Sequence, residues 1–206
     1  SFGQGLYGYT TYDAIPFFDS IQFKKDADII PLMRYRLYQY VIAFNHFKDE
    51  IFICENKIDG IDSEYNALMS FIKSKDVPQY PFFIKGTERV NQTDAEFIKV
   101  VKKGIQHCMR GDVFQIVLSR RFQQSFQGDE FNVYRTLRNI NPSPYLFFFD
   151  YGDYKLMGSS PEAQIIIKNG KVPHKGLLDY ALTNLAFTTS DKVAKLTLDY
   201  CWIKMV

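Results

Sequence analysis

Between Asn141 and Met157 the chain reads N-P-S-P-Y-L-F-F-F-D-Y-G-D-Y-K-L-M. A proline bars the residue before it from helical backbone, so Asn141-Pro142-Ser143-Pro144 must stop any helix that precedes it. Aromatic residues favour strands, and Tyr145–Phe149 is such a run. Asp150-Tyr151-Gly152-Asp153 is turn chemistry, and Tyr154–Met157 reads as the return strand. A tight turn joins strands antiparallel. The segment therefore commits this part of the chain to antiparallel sheet. Composition agrees, with 19 Phe and 14 Tyr against a single Trp. Apolar residues at 46% and charged residues at 23% exclude a disordered chain, a coiled coil and a collagen-like chain.

Other elements follow from spacing. Arg34–Phe44 reads as one strand, with Tyr38, Tyr40, Ile42 and Phe44 on one face, and Ile51–Cys54 as its hairpin partner. Residues 61–75 carry helical spacing through Ile61, Tyr65, Leu68, Met69 and Ile72. Thr93-Asp94-Ala95-Glu96 is a capping box ahead of Phe97, Val100, Val101, Ile105 and Cys108, and Gly111-Asp112 ends that helix. Phe114–Phe122 reads as a strand and Asp129–Ile140 as a helix. Gly158-Ser159-Ser160-Pro161 reads as a second break. Ala163–Lys168 reads as a strand running into an Asn169-Gly170 hairpin turn. The dense Gly3, Gly5 and Gly8 suggest tight backbone approaches, without the Lys and Ser/Thr of a phosphate loop. The expected class is α+β, mainly antiparallel sheets with outer helices. The expected divisions are a sheet region over 1–75, a linker over 76–92, a domain part over 93–172 and a divergent tail over 173–206.

Several functions are disfavoured by charge and residue usage. Twenty-five basic and 23 acidic residues are interspersed for a net charge of +2, so no basic stripe marks a nucleic-acid partner. No run of about 18 apolar residues suggests a membrane span, and no signal peptide is read at the N-terminus. Cys54, Cys108 and Cys201 are odd in number and widely spaced, the pattern of reduced thiols. His46, His107 and His174 lie far apart and suggest no metal site. One segment offers chemistry. Gly158-Ser159-Ser160-Pro161-Glu162 presents backbone N–H groups, hydroxyls and a terminal carboxylate after a strand. Such a carboxylate beside apolar strands could serve as a general acid, and an ordinary strand-ending turn with a solvated Glu would look the same.

Three segments together carry a resemblance: GLYGYTTYDAIPFF (5–18), GDVFQIVLSRRF (111–122) and NPSPYLFFFDYGDYKLMGSSPE (141–162). In this order they resemble anthranilate synthase component I, a chorismate-using enzyme, over about residues 2–172. The resemblance implies a partial version of that family's two-sheet sandwich fold. It implies that Glu162 is a catalytic acid protonating the departing ring hydroxyl of chorismate. Gly158, Ser159, Ser160 and Gln115 would lie against the substrate. Family members that add water carry a Lys where this chain has Gln115, so the resemblance favours an ammonia user. Ammonia would come from a glutamine amidotransferase partner. The folate-route aminodeoxychorismate synthase component I is the alternative, as is a remnant that only docks a partner. Asn141, Pro142, Ser143, Pro144, Tyr145 and Leu146 match the segment that binds the feedback inhibitor tryptophan; the L-L-E-S-type segment forming that pocket's other wall is not found here. The family uses Mg²⁺, but its metal-holding motifs are not found after Val172. The start at Ser1 and the end at Val206 therefore read as truncations, and the chain alone is expected to be inactive. A cytoplasmic location is expected, and self-association as dimers through unpaired sheet edges.

Overall fold

The computed structural model describes residues 3–23, 30–113 and 116–161, together with the backbone of 185–190 and 195–202. The chain divides into two units, Ser1–Pro78 and Gln79–Val206. Every strand pair is antiparallel, and the class is α+β.

The first unit holds β1 (Leu6–Thr10), a 3₁₀ helix (Tyr12–Phe17), β2 (Met33–Leu37), β3 (Tyr40–Asn45), β4 (Glu50–Glu55) and α1 (Tyr65–Lys73). The expected single strand over 34–44 is two strands in two ladders: β2 pairs with β1, and β3 with β4. The corner at Tyr38-Gln39 is built by Asn56. Its side-chain amide donates to the carbonyls of Gly3 (2.6 Å) and Tyr38 (2.8 Å), and its backbone N–H donates to Gln39 O (2.7 Å). The β3–β4 hairpin is as expected. Its far end is tied by the Tyr40 hydroxyl, which donates to Glu55 (2.9 Å) and accepts from the Glu64 N–H (2.7 Å). A tight approach occurs at Gly8, where a Cβ would fall on the Arg34 carbonyl of β2.

The second unit holds β5 (Phe82–Val90), α2 (Asp94–Met109), β6 (Val117–Gly128), α3 (Phe131–Ile140), β7 (Tyr145–Asp150), β8 (Tyr154–Ser160), β9 (Leu185–Ser190) and β10 (Lys195–Trp202). They form a six-stranded sheet in the order β5-β6-β10-β9-β8-β7. Two expectations are corrected here. The segment 76–92, read as a linker, contains a nine-residue strand, because Phe82–Lys85 and Arg89–Val90 pair with β6 around a register shift that includes Gly86 at φ +67°. Gly158–Ser160, read as a break, continues β8, because β7 and β9 both supply backbone partners there. The divergent tail supplies β9 and β10. The alternation Leu196-Thr197-Leu198-Asp199 has the period of a strand. The Ala163–Lys168 strand and its Asn169-Gly170 turn lie outside the described residues.

The capping box of α2 forms as expected. Thr93 Oγ1 accepts from the Glu96 N–H, and the Glu96 carboxylate accepts from the Thr93 N–H (2.8 Å). Thr93→Ala is expected to cost about 1 kcal/mol of stability, read by urea denaturation. The backbone and hydroxyl bonds from Thr93 hold the Glu96 carboxyl below its ordinary range. A carboxyl lowered in the folded state stabilises fully above its unfolded value and loses that contribution as pH falls through the folded one. Fraying of α2 is therefore expected on acidification below about pH 4, followed by amide exchange at Asp94–Phe97. An unchanged exchange rate there would contradict it. Arg120 of β6 braces the same helix start. It donates to Gln92 O (2.7 Å) and Asp94 (2.6 Å) with its guanidinium over the Phe122 ring.

Candidate active site

The β7–β8 hairpin brings the two ends of the 141–162 segment side by side. Its turn is closed by Asp150, whose carboxylate accepts from the Gly152 N–H (2.8 Å) with Gly152 at φ +89°. From there the register is fixed: Phe148 lies opposite Met157, Phe147 opposite Gly158, Leu146 opposite Ser159 and Tyr145 opposite Ser160. The end of G-S-S-P thus lies against the start of the strand that N-P-S-P introduces.

Helix α3 covers one face of this hairpin. Phe148 meets Phe131 edge-on (5.0 Å between ring centres) and Tyr134 (5.6 Å). Lys155, Met157 and Ser159 alternate onto the same face of β8. Lys155 Nζ reaches Glu130 at the start of α3 (2.8 Å), with both side chains largely buried, and lies 3.7 Å from Asp150. Met157 and Leu137 are buried core. Ser159, 1% exposed, reaches the far end of the helix, its Oγ 2.6 Å from the Asn141 carbonyl and 2.8 Å from Ser143 Oγ. The lengths match: ten helical residues span about 15 Å, and four strand steps from Lys155 to Ser159 span about 13 Å. The opposite face of the hairpin carries an aromatic row, Phe147, Phe149, Tyr151 and Tyr154, with neighbouring ring centres 5.1–5.8 Å apart.

The sequence-derived site residues fall as follows. Gly158 is buried within β8 and Ser160 half-buried at its end. In the 141–146 segment Pro142, Pro144 and Tyr145 are exposed, while Asn141, Ser143 and Leu146 are half-buried. Glu162 and Gln115 lie outside the described residues. Among the described residues no three His, Cys, Asp or Glu side chains gather where they could hold a metal. His107, on α2, has its Nδ1 2.8 Å from Asp112, which also accepts from Arg110 (2.6 Å). These bonds hold the Asp112 carboxyl below its ordinary range. No helix among the described residues is long and apolar enough to cross a membrane.

Sequence reasoning passed over Lys155 and Glu130. The available signal was a single lysine in the otherwise apolar run Y-K-L-M, since a charge in a half-buried strand requires a partner.

An antiparallel α+β domain whose G-S-S-P strand end is pinned to an N-P-S-P turn defines a class, and residues 2–177 match that class: the chain belongs to the chorismate binding enzyme family. Within it, the chain is 31% identical to anthranilate synthase component 1 of Aquifex aeolicus, an alignment covering 83% of this chain and 37% of that protein. It is 32% identical to the Bacillus pumilus protein of the same name, covering 95% of this chain and 42% of that one. The crystal structure of anthranilate synthase component I from Streptococcus pneumoniae TIGR4 superposes with a TM-score of 0.65 at 30% identity, over 82% of this chain and 41% of that one. The chain thus spans about two fifths of the length of these relatives.

Proposed function

We propose that this chain is a segment of an anthranilate synthase component I, and that the full-length protein converts chorismate and ammonia to anthranilate, pyruvate and water in the tryptophan pathway. The observation that carries this reading is the pairing of Tyr145-Leu146 with Ser159-Ser160 under the Ser159 hydrogen bonds. It brings together the two ends of the 141–162 segment, one of the three by which the chain resembles that family. In this reading Glu162, just beyond β8, is the general acid. It gives its proton to the ring hydroxyl, which leaves as water. Ammonia adds to the ring, and the ring loses a proton as the enolpyruvyl group leaves as pyruvate. A glutamine amidotransferase subunit supplies the ammonia, and tryptophan binding at 141–146 inhibits. The reading places the protein in the cytoplasm.

The test is the fluorescence of anthranilate formed from chorismate, ammonia and Mg²⁺ by the full-length protein that carries this segment. Anthranilate is the expected product, with kcat lowered about a hundredfold in Glu162→Gln and KM little changed, as for loss of a general acid. Accumulation of aminodeoxychorismate, or a Glu162→Gln variant as active as the parent, would refute it. The 206-residue chain alone is expected to give no turnover.

A further inference from the structure

We infer that Ser159 is a positioning residue rather than a substrate contact: its hydroxyl locks the 141–145 turn to the end of β8, so the turn sets the direction in which the chain leaves the strand toward Glu162. As a role in catalysis this rests on the function proposed above; as a mechanical coupling it does not.

Proton counting carries the first part. A serine hydroxyl has one proton and two lone pairs. The Asn141 carbonyl has no proton to give, so at 2.6 Å it must receive the one on Ser159. The same hydroxyl also donates toward Ser143 Oγ, 2.8 Å away, so its one proton is shared between the Asn141 carbonyl and Ser143. The Ser159 proton is thereby committed to the 141–143 turn, and at 1% exposure no solvent or ligand reaches the hydroxyl. Ser143 accepts from Ser159 and gives its own proton to the Tyr145 carbonyl at 3.4 Å, so it links the strand to its own turn.

Topology carries the second part. Helix α3 is held at its start by Glu130 on Lys155 and at its end by Asn141 on Ser159. Both holds are on β8, four residues apart. Neither end of the helix can shift along the strand without breaking one of them. The turn that follows α3 therefore moves with β8, and half-buried Ser143 is the member of the pin that joins through a side chain of the turn. A group that drew the Ser143 hydroxyl away would be felt at Ser159, three residues before Glu162.

Two experiments test this. The first uses amide hydrogen exchange in the 206-residue chain. Ser159→Ala is expected to speed exchange about tenfold at both Ser143–Leu146 and Gly158–Ser160, the loss of a buried hydrogen-bonded pair. Ser159→Cys, similar in volume but a poor donor, should behave like the alanine variant. Ser143→Ala should speed exchange at Gly158–Ser160 as well as in its own turn. The double variant should be no faster than Ser159→Ala alone. Wild-type rates in Ser159→Cys, or strictly additive effects, would overturn the coupling. If Ser159→Ala fails to fold, Ser143→Ala decides alone, and unchanged exchange at Gly158–Ser160 overturns the inference. The second uses the full-length protein, where Ser159→Cys should lower kcat about tenfold and leave the chorismate KM unchanged. A raised KM with unchanged kcat would make Ser159 a substrate contact after all. A full-length protein inert toward chorismate would count against the proposed function and leave the exchange result standing.

Discussion

Gly128→Ala is expected to destabilise the chain by about 4 kcal/mol, among the largest effects of any single methyl group here. Gly128 ends β6 at φ +107°, a conformation that L side chains rarely adopt. Strain of this kind costs about 1–3 kcal/mol by itself. A Cβ there would also fall on the Pro81 carbonyl. That carbonyl cannot move aside freely, because it accepts from the Asp129 N–H (3.1 Å) and the next residue, Phe82, pairs with Gly128. Relief would have to come from separating β5 and β6. Gly152→Ala is the control: its φ is +89°, but a Cβ there meets nothing within 4 Å. Urea denaturation of the two variants should differ by the clash alone. Equal losses would show that β5 is not held where described.

Glu130→Ala is expected to cost about 3 kcal/mol, because it strands a largely buried Lys155. Asp150, at 3.7 Å, retains part of the attraction, which keeps the loss toward the lower end for a broken buried pair. Replacing both partners by apolar residues, Glu130→Leu with Lys155→Met, should recover most of the loss. A buried ion pair generally gains little over well-packed hydrophobic side chains, since desolvation offsets its attraction. A double variant as unstable as Glu130→Ala alone would show that the pair contributes through geometry that apolar packing cannot replace.

What could be read in the sequence was what is local. The β7–β8 hairpin rests on Pro142, Pro144 and Gly152, and the start of α2 on Thr93 and Glu96; each signal lies within the element it forms. The corner at Tyr38-Gln39 was not legible, because Asn56, 18 residues beyond Tyr38, makes it. Strand β5 was hidden by the prolines before it and by Gly86 within it, and only its pairing with β6 reveals it. Strand β6 runs six residues beyond Phe122 for the same reason: Gln123–Gly128 has weak strand character but has partners in β5 and β10. At the site, G-S-S-P-E was visible as a motif, while the task of Ser159 depends on a carbonyl and a hydroxyl 18 and 16 residues away. Residue type marked the position, while the partners that hold its oxygen are set by the fold.

The order β5-β6-β10-β9-β8-β7 also bears on how the sheet assembles in time. Strand β10 comes last in sequence among the six strands of this sheet, yet it lies between β6 and β9. During translation β5–β6 and β7–β8–β9 can each form as antiparallel ladders, but among the described strands only β10 joins them, once residues 195–202 leave the ribosome. Its pairing with β6 closes a loop of about 75 residues, the kind of non-local contact that forms slowly. Until then, the nascent chain carries two half-sheets, each with an open edge of the kind that recruits chaperones or neighbouring chains.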